Sequence, residues 1–220
     1  MSPATNDISL IGLLAAAALL PFLVAVGTCY IKFTVVFTLV RNAMGLQQVP
    51  SNMVINGISL MLAFFVMQPI ILGLQESYAA LDAAPATLSQ IGEFLDSSLG
   101  AYRAYLAKYS DPELLRFFHH AQSPGEITVE QLDPQDRSLL ELLPSYALSE
   151  LKDAFLMGFY LYLPFVVVDL VVSSILLSLG MMMMSPVTIS APIKLVLFVM
   201  LDGWALLSKG LVTQYLDVAS

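Results

Sequence analysis

The chain has 220 residues, of which 58% are hydrophobic and 12% charged, and its net charge is −8. A soluble domain carries about 25% charged residues, so an ordinary soluble globule is excluded in favour of a membrane-class chain, or one whose surface is covered by other proteins. The charge has one address: Glu76 to Asp153 holds thirteen acidic and five basic side chains, and the remainder holds four of each.

No basic patch is present, which leaves nucleic acid without an electrostatic footing. Cys29 is the single cysteine, so an internal disulfide is impossible, and its apolar neighbours make it a small hydrophobe. Composition divides the chain into an apolar N-terminal unit over 1–75, an acidic insert over 76–153 and an apolar C-terminal unit over 154–220.

Ile8 to Ile31 is a run of 24 uncharged residues, long enough for a bilayer span, with Pro21 expected to kink it. Only Met1 to Asp7 precede it, without Lys or Arg, so it is expected to belong to the mature protein rather than to a cleaved signal. Lys32 and Arg41 bracket the β-branched piece Phe33 to Val40. Continued helix is favoured there over a strand, because no turn signal intervenes.

From Arg41 to Asn52 the chain breaks: Gly45, Pro50 and the amides of Gln47 and Gln48 are turn chemistry, the amides expected to satisfy backbone groups. Ser51 or Asn52 can cap the next helix, expected over Met53 to Leu74 with Pro69 bending its end.

In the insert, Phe94, Leu95, Leu99, Tyr102, Leu106 and Tyr109 form one helical stripe. Asp111-Pro112 and Asp133-Pro134 are cap-plus-proline starts, and Ser123-Pro124-Gly125 reads as a loop. His119-His120 diverge by about 100° on a helix and are expected at the surface rather than on a metal. Ser149 is expected to cap a long helix from Leu151 to Leu179, kinked at Pro164. Pro186 and Pro192 then break the chain before a last segment, Lys194 to Leu216, interrupted at Asp202-Gly203.

Hydropathy gives four spans. Lys32, Arg41 and Lys194, read as loop charges, place those loops in the cytoplasm, with the insert and both ends outside. Yet Pro21, Pro69, Pro164, Asp169 and Asp202-Gly203 damage every span. Broken backbone and charge at membrane depth are tolerated where protein or a water cavity covers them, so the helices are expected to pack against partner subunits more than against lipid.

Three groups of residues carry candidate function. Met181 to Met184 are unbranched, flexible thioethers that either fill a helix end or form a deformable seal. Asp169 and Lys194 are a mutual pair or partners on a neighbouring subunit, with a proton relay or a snorkelling lysine as the rivals. Lys32 and Arg41 are topology signals or subunit contacts. Trp204 is an interface anchor or a packing residue. No nucleophile elbow, Walker loop or zinc spacing occurs, so neither an enzyme nor a cofactor or metal is expected.

Lys32-Phe33 with Val35-Val36-Phe37, Arg41 to Pro50, Leu163-Pro164-Phe165 with Val168-Asp169-Leu170-Val171, Gly180 to Ser190 and Asp202-Gly203-Trp204 resemble, in order and spacing, the FliP/SctR family of type III secretion export-apparatus proteins. Lys32 where a flagellar member has arginine, and the missing signal peptide, match the injectisome SctR branch.

The resemblance implies an all-α fold of kinked hairpins with a small helical periplasmic insert. It implies about five copies in a ring-like array with SctS-like and SctT-like subunits at the bacterial inner membrane, largely facing the periplasm and passing unfolded substrates. It also implies a methionine gasket at 181–184, and helices that do not cross the bilayer in the ordinary way, against the four-span topology. Two other readings stay open on the residues: a secondary transporter of small solutes with Asp169 as coupling residue, and a membrane scaffold without a conduit.

Overall fold

The computed structural model describes residues 14, 17–19, 21–79, 98–122, 133, 137–181 and 183–216. Phe94, Leu95, the 123–125 loop, Pro134 and Met182 lie outside them. The described residues are helical without a strand, and the fold is all-α. In chain order the helices are α1 (Pro21–Gly27), then α2 (Tyr30–Ala43), α3 (Asn52–Ala79), α4 (Gly100–Tyr109), α5 (Pro112–Gln122), α6 (Leu139–Ser178), α7 (Pro186–Met200) and α8 (Gly203–Leu216).

The helix ends follow local chemistry, not always at the expected residue. The first apolar run breaks after Gly27, where α1 and α2 meet at 77°. Thr28 makes this break self-sufficient: its Oγ1 donates to the Val24 carbonyl at 2.6 Å and accepts the Tyr30 N–H at 3.3 Å.

Ser51 is the cap of α3, accepting the Val54 N–H at 3.4 Å, and Pro69 lies inside a helix that continues to Ala79. The cap of α6 is Ser138, which accepts the Leu140 N–H, not Ser149. Ser149 sits buried in mid-helix, donating to the Ser145 carbonyl at 2.6 Å and accepting the Asp111 N–H at 2.7 Å. Pro144 and Pro164 are both inside α6. Pro186 takes the first position of α7, and Pro192 is carried within the helix rather than ending it. Helices α3 and α6 run without interruption through 75/76 and 153/154, so the compositional boundaries are not chain breaks.

The core gathers around α2. Phe33, Val36, Phe37 and Val40 are buried against α3, α6 and α8 with Ile55, Tyr146, Leu211 and Tyr215. Gly158 lets α6 lie directly on Leu39, where any Cβ would overlap that side chain. From α4 the buried residues are Tyr105 and Leu106, so the face extends to Tyr105, outside the expected stripe. Tyr102 donates to the Gly27 carbonyl at 2.8 Å, and burial pushes its phenol up to about 12.

Among the described residues, helices α3 and α6 are long and apolar enough to cross a membrane, and the bent pairs α1–α2 and α7–α8 raise that number to four if each pair is one span. Large apolar side chains stand exposed along both long helices, including Met53, Met61 and Phe64 on α3 and Phe155, Phe159, Leu163 and Leu170 on α6. Such faces mark contact with lipid or other proteins.

Candidate functional site

The methionine run is a loop between α6 and α7. Helix α6 ends in a Schellman turn: the Gly180 N–H donates to the Leu177 carbonyl and the Met181 N–H to the Leu176 carbonyl, both at 3.0 Å. Gly180 supplies the left-handed residue this needs, at φ 73°. The Met184 N–H then closes a tight turn on the Met181 carbonyl at 3.3 Å, and Pro186 starts α7 with its preset φ. Met183 is fully exposed at the tip, with Met181 and Met184 each about two-fifths exposed. Met182 is outside the described residues.

About three helical turns back along the same two helices lies a charged clamp. Lys194 is 3% exposed and its Nζ donates to Asp169 Oδ2 at 2.5 Å and to the Ala43 carbonyl at 3.1 Å. Ser190 donates to the other carboxylate oxygen, Oδ1, at 2.5 Å. Asp169 and Lys194 are therefore paired within one chain. Lys194 is a buried mid-helix residue of α7 rather than a loop charge, because a carboxylate and a helix-end carbonyl meet its ammonium there. Near the same place α2 ends in a second Schellman turn, with Gly45 at φ 77° and N–H groups of Gly45 and Leu46 donating to the carbonyls of Asn42 and Arg41.

Arg41 holds the far side of that turn. Its Nη1 donates to the Pro50 carbonyl at 3.0 Å and to Asn52 Oδ1 at 2.6 Å; the Val49–Pro50 peptide is cis. Gln47 and Gln48 are exposed; in the turn Arg41 holds the Pro50 carbonyl, and the helix end accepts the N–H groups of Gly45 and Leu46. Trp204 packs edge-on to Phe198 at 5.2 Å and against Phe37 at 6.0 Å.

Sequence reasoning missed the partner of Lys32. This ammonium is buried on α2, 3.1 Å from Glu150 and 3.3 Å from Asp153 of α6, and lies over the Tyr215 ring at 5.2 Å. Tyr215 donates to the other Glu150 oxygen, which ties α8 into the same group. A lone lysine in an apolar run demands a counter-charge, and that was the available signal. Neither Lys32 nor Arg41 is a loop charge, so the topology assigned from them loses its basis. His119, expected at the surface, is buried with its Nδ1 2.9 Å from Glu141 Oε2; the stripe of α5 turns it inward, and His120 is exposed.

The FliP family model matches residues 13–211. The Salmonella typhimurium protein named "Surface presentation of antigens protein SpaP" is 58% identical over 225 residues, covering 98% of this chain and 99% of that protein. Its Shigella flexneri namesake is 60% identical over 213 residues, with 97% and 98% covered. The "Yop proteins translocation protein R" of Yersinia pestis is 42% identical over 212 residues, with 96% and 97% covered. On a family match and relatives that both span nearly the whole chain, this protein belongs to the FliP family.

Proposed function

We propose that the chain is a pore-forming subunit of a type III secretion export gate, passing unfolded protein substrates across the bacterial inner membrane. The observation that carries this reading is the methionine loop: Met183 is wholly exposed at the tip of a glycine-capped turn, with Met181 and Met184 beside it. Thioether side chains re-pack around irregular surfaces, and hydrophobic constrictions block ions by dewetting. A ring of such loops, one from each of about five copies joined by SctS-like and SctT-like subunits, closes to ions and parts for a polypeptide of any sequence.

The exposed apolar faces of α3 and α6 supply surfaces for those neighbours. They suit packing in an assembly at the membrane, much of it facing the periplasm. Full-length similarity to proteins named for antigen presentation and Yop translocation supports the secretion setting. A solute transporter using Asp169 is the weaker reading, because both oxygens of that carboxylate are already engaged by Ser190 and Lys194.

The test is ion conductance of the complete complex in liposomes. Met181→Ala with Met183→Ala is expected to leak small ions while assembly, judged by size and subunit content, is retained. Unchanged conductance in an intact complex removes the seal role from this loop.

A further inference from the structure

We infer that the turn after α2 is the seat of the methionine loop, and that Gly45, Ser190 and the Ala43 carbonyl are positioning groups for the gate. This rests on reading the loop as a seal. Three contacts converge on the first nine residues of α7, Pro186 to Lys194, close behind Met184.

The first contact is steric. A Cβ on Gly45 would lie 3.3 Å from the Ala191 Cβ and 3.7 Å from Val187 Cγ1, so a side chain there would touch Val187 and push α7 back at Ala191 by a few tenths of an ångström. The left-handed φ of 77° asks for glycine on separate grounds.

The second contact is electrostatic. Ala43 is the last residue of α2, and its carbonyl is one of the four at a helix end without an intrahelical partner, at the negative end of the helix dipole. Lys194 donates to it. The third is the hydrogen bond of Ser190 to Asp169, which fixes α7 to α6.

The spacing makes this a seat rather than three separate contacts. Val187, Ser190, Ala191 and Lys194 fall at steps of three, one and three, a single face of α7. On α6, Asp169 and the buried Val172 and Leu176 likewise share one face, and Leu176 provides the carbonyl that caps the loop's first leg. Both legs of the methionine hairpin are thus clamped within about three helical turns of the loop. The loop itself stays open.

The experiment compares variants of the assembled complex by backbone hydrogen exchange over residues 183–188 and by ion leak in liposomes. Gly45→Ala and Ser190→Ala are expected to accelerate exchange in that segment several-fold and to raise leak towards that of the Met181→Ala/Met183→Ala complex. Adding Ala191→Gly to Gly45→Ala gives back the space and is expected to restore slow exchange in part. Glu150→Gln is the control for general loosening, since it lies 19 residues from Asp169 on α6, about 28 Å away, and is expected to leave exchange at 183–188 unchanged.

Slow exchange at 183–188 in both seat variants overturns the inference, and so does equal acceleration by Glu150→Gln. A tight complex with the methionine variants overturns the seal reading instead, and the exchange result still decides whether the turn positions the loop.

Discussion

Helices α2 and α6 end with the same backbone device in opposite surroundings. Each closes in a Schellman turn with glycine in the left-handed region, Gly45 at φ 77° and Gly180 at 73°. A Cβ at Gly45 would crowd Ala191, whereas one at Gly180 would meet nothing within 4 Å. The first turn is packed against α7 and braced by Lys194; the second projects three described methionines, Met181, Met183 and Met184, into the open. A shared motif thus tells where a helix stops, and its surroundings tell whether the stop is packed or exposed.

The most severe loss of stability is expected in the body of the bundle from which both ends project, remote from either turn. Lys32 and Glu150 are both essentially unexposed, and removing one member of such a pair costs roughly 3–5 kcal/mol because the other charge stays buried. Glu150→Ala is expected to lower the unfolding midpoint of the purified chain, followed by the fluorescence of Trp204, its sole tryptophan. A midpoint within experimental scatter of the parent means that the Lys32 group is not what holds α2, α6 and α8 together.

A finer test sets the two glycines against each other. Alanine at either site must adopt a left-handed conformation, at roughly 1–2 kcal/mol, but only at Gly45 is the added methyl also crowded. Gly45→Ala is therefore expected to destabilise more than Gly180→Ala in the same fluorescence assay. Equal losses mean that the two ends differ in exposure alone.

The smallest effect belongs away from both ends, where Asp111 joins α5 to α6. Lys152 Nζ lies 2.6 Å from its carboxylate and, with the Glu113 N–H, holds its pKa below the ordinary value. A depressed carboxylate contributes stability that is present above its unfolded pKa of about 3.9 and is lost as pH falls through the folded value. Acid titration of Asp111→Asn is expected to lack that part of the loss below about pH 4, with no change in ion leak. An acid profile identical to the parent's removes the pair from the stability of this joint.

Much of this protein is written locally. The all-helical fold, the starts at Ser51, Pro112 and Pro186 and the stops at Gly45, Gly180 and Asp202-Gly203 depend on caps, prolines and left-handed residues within a few positions of one another, and such chemistry is legible in order. The pairing of Asp169 with Lys194 was also accessible, because two opposite charges in apolar surroundings have few alternatives.

What the sequence left undecided depends on distant partners. Ser149 looks like a cap until Ser138, eleven residues earlier, turns out to start the helix and Asp111 to use the Ser149 hydroxyl. His119 and Lys32 look like surface or topology residues until Glu141 and Glu150 are brought to them by packing. The burial of charge is a property of the pair and not of either residue, so only the tertiary structure could set those partners, and only it could place Gly45 against the helix that follows the methionines.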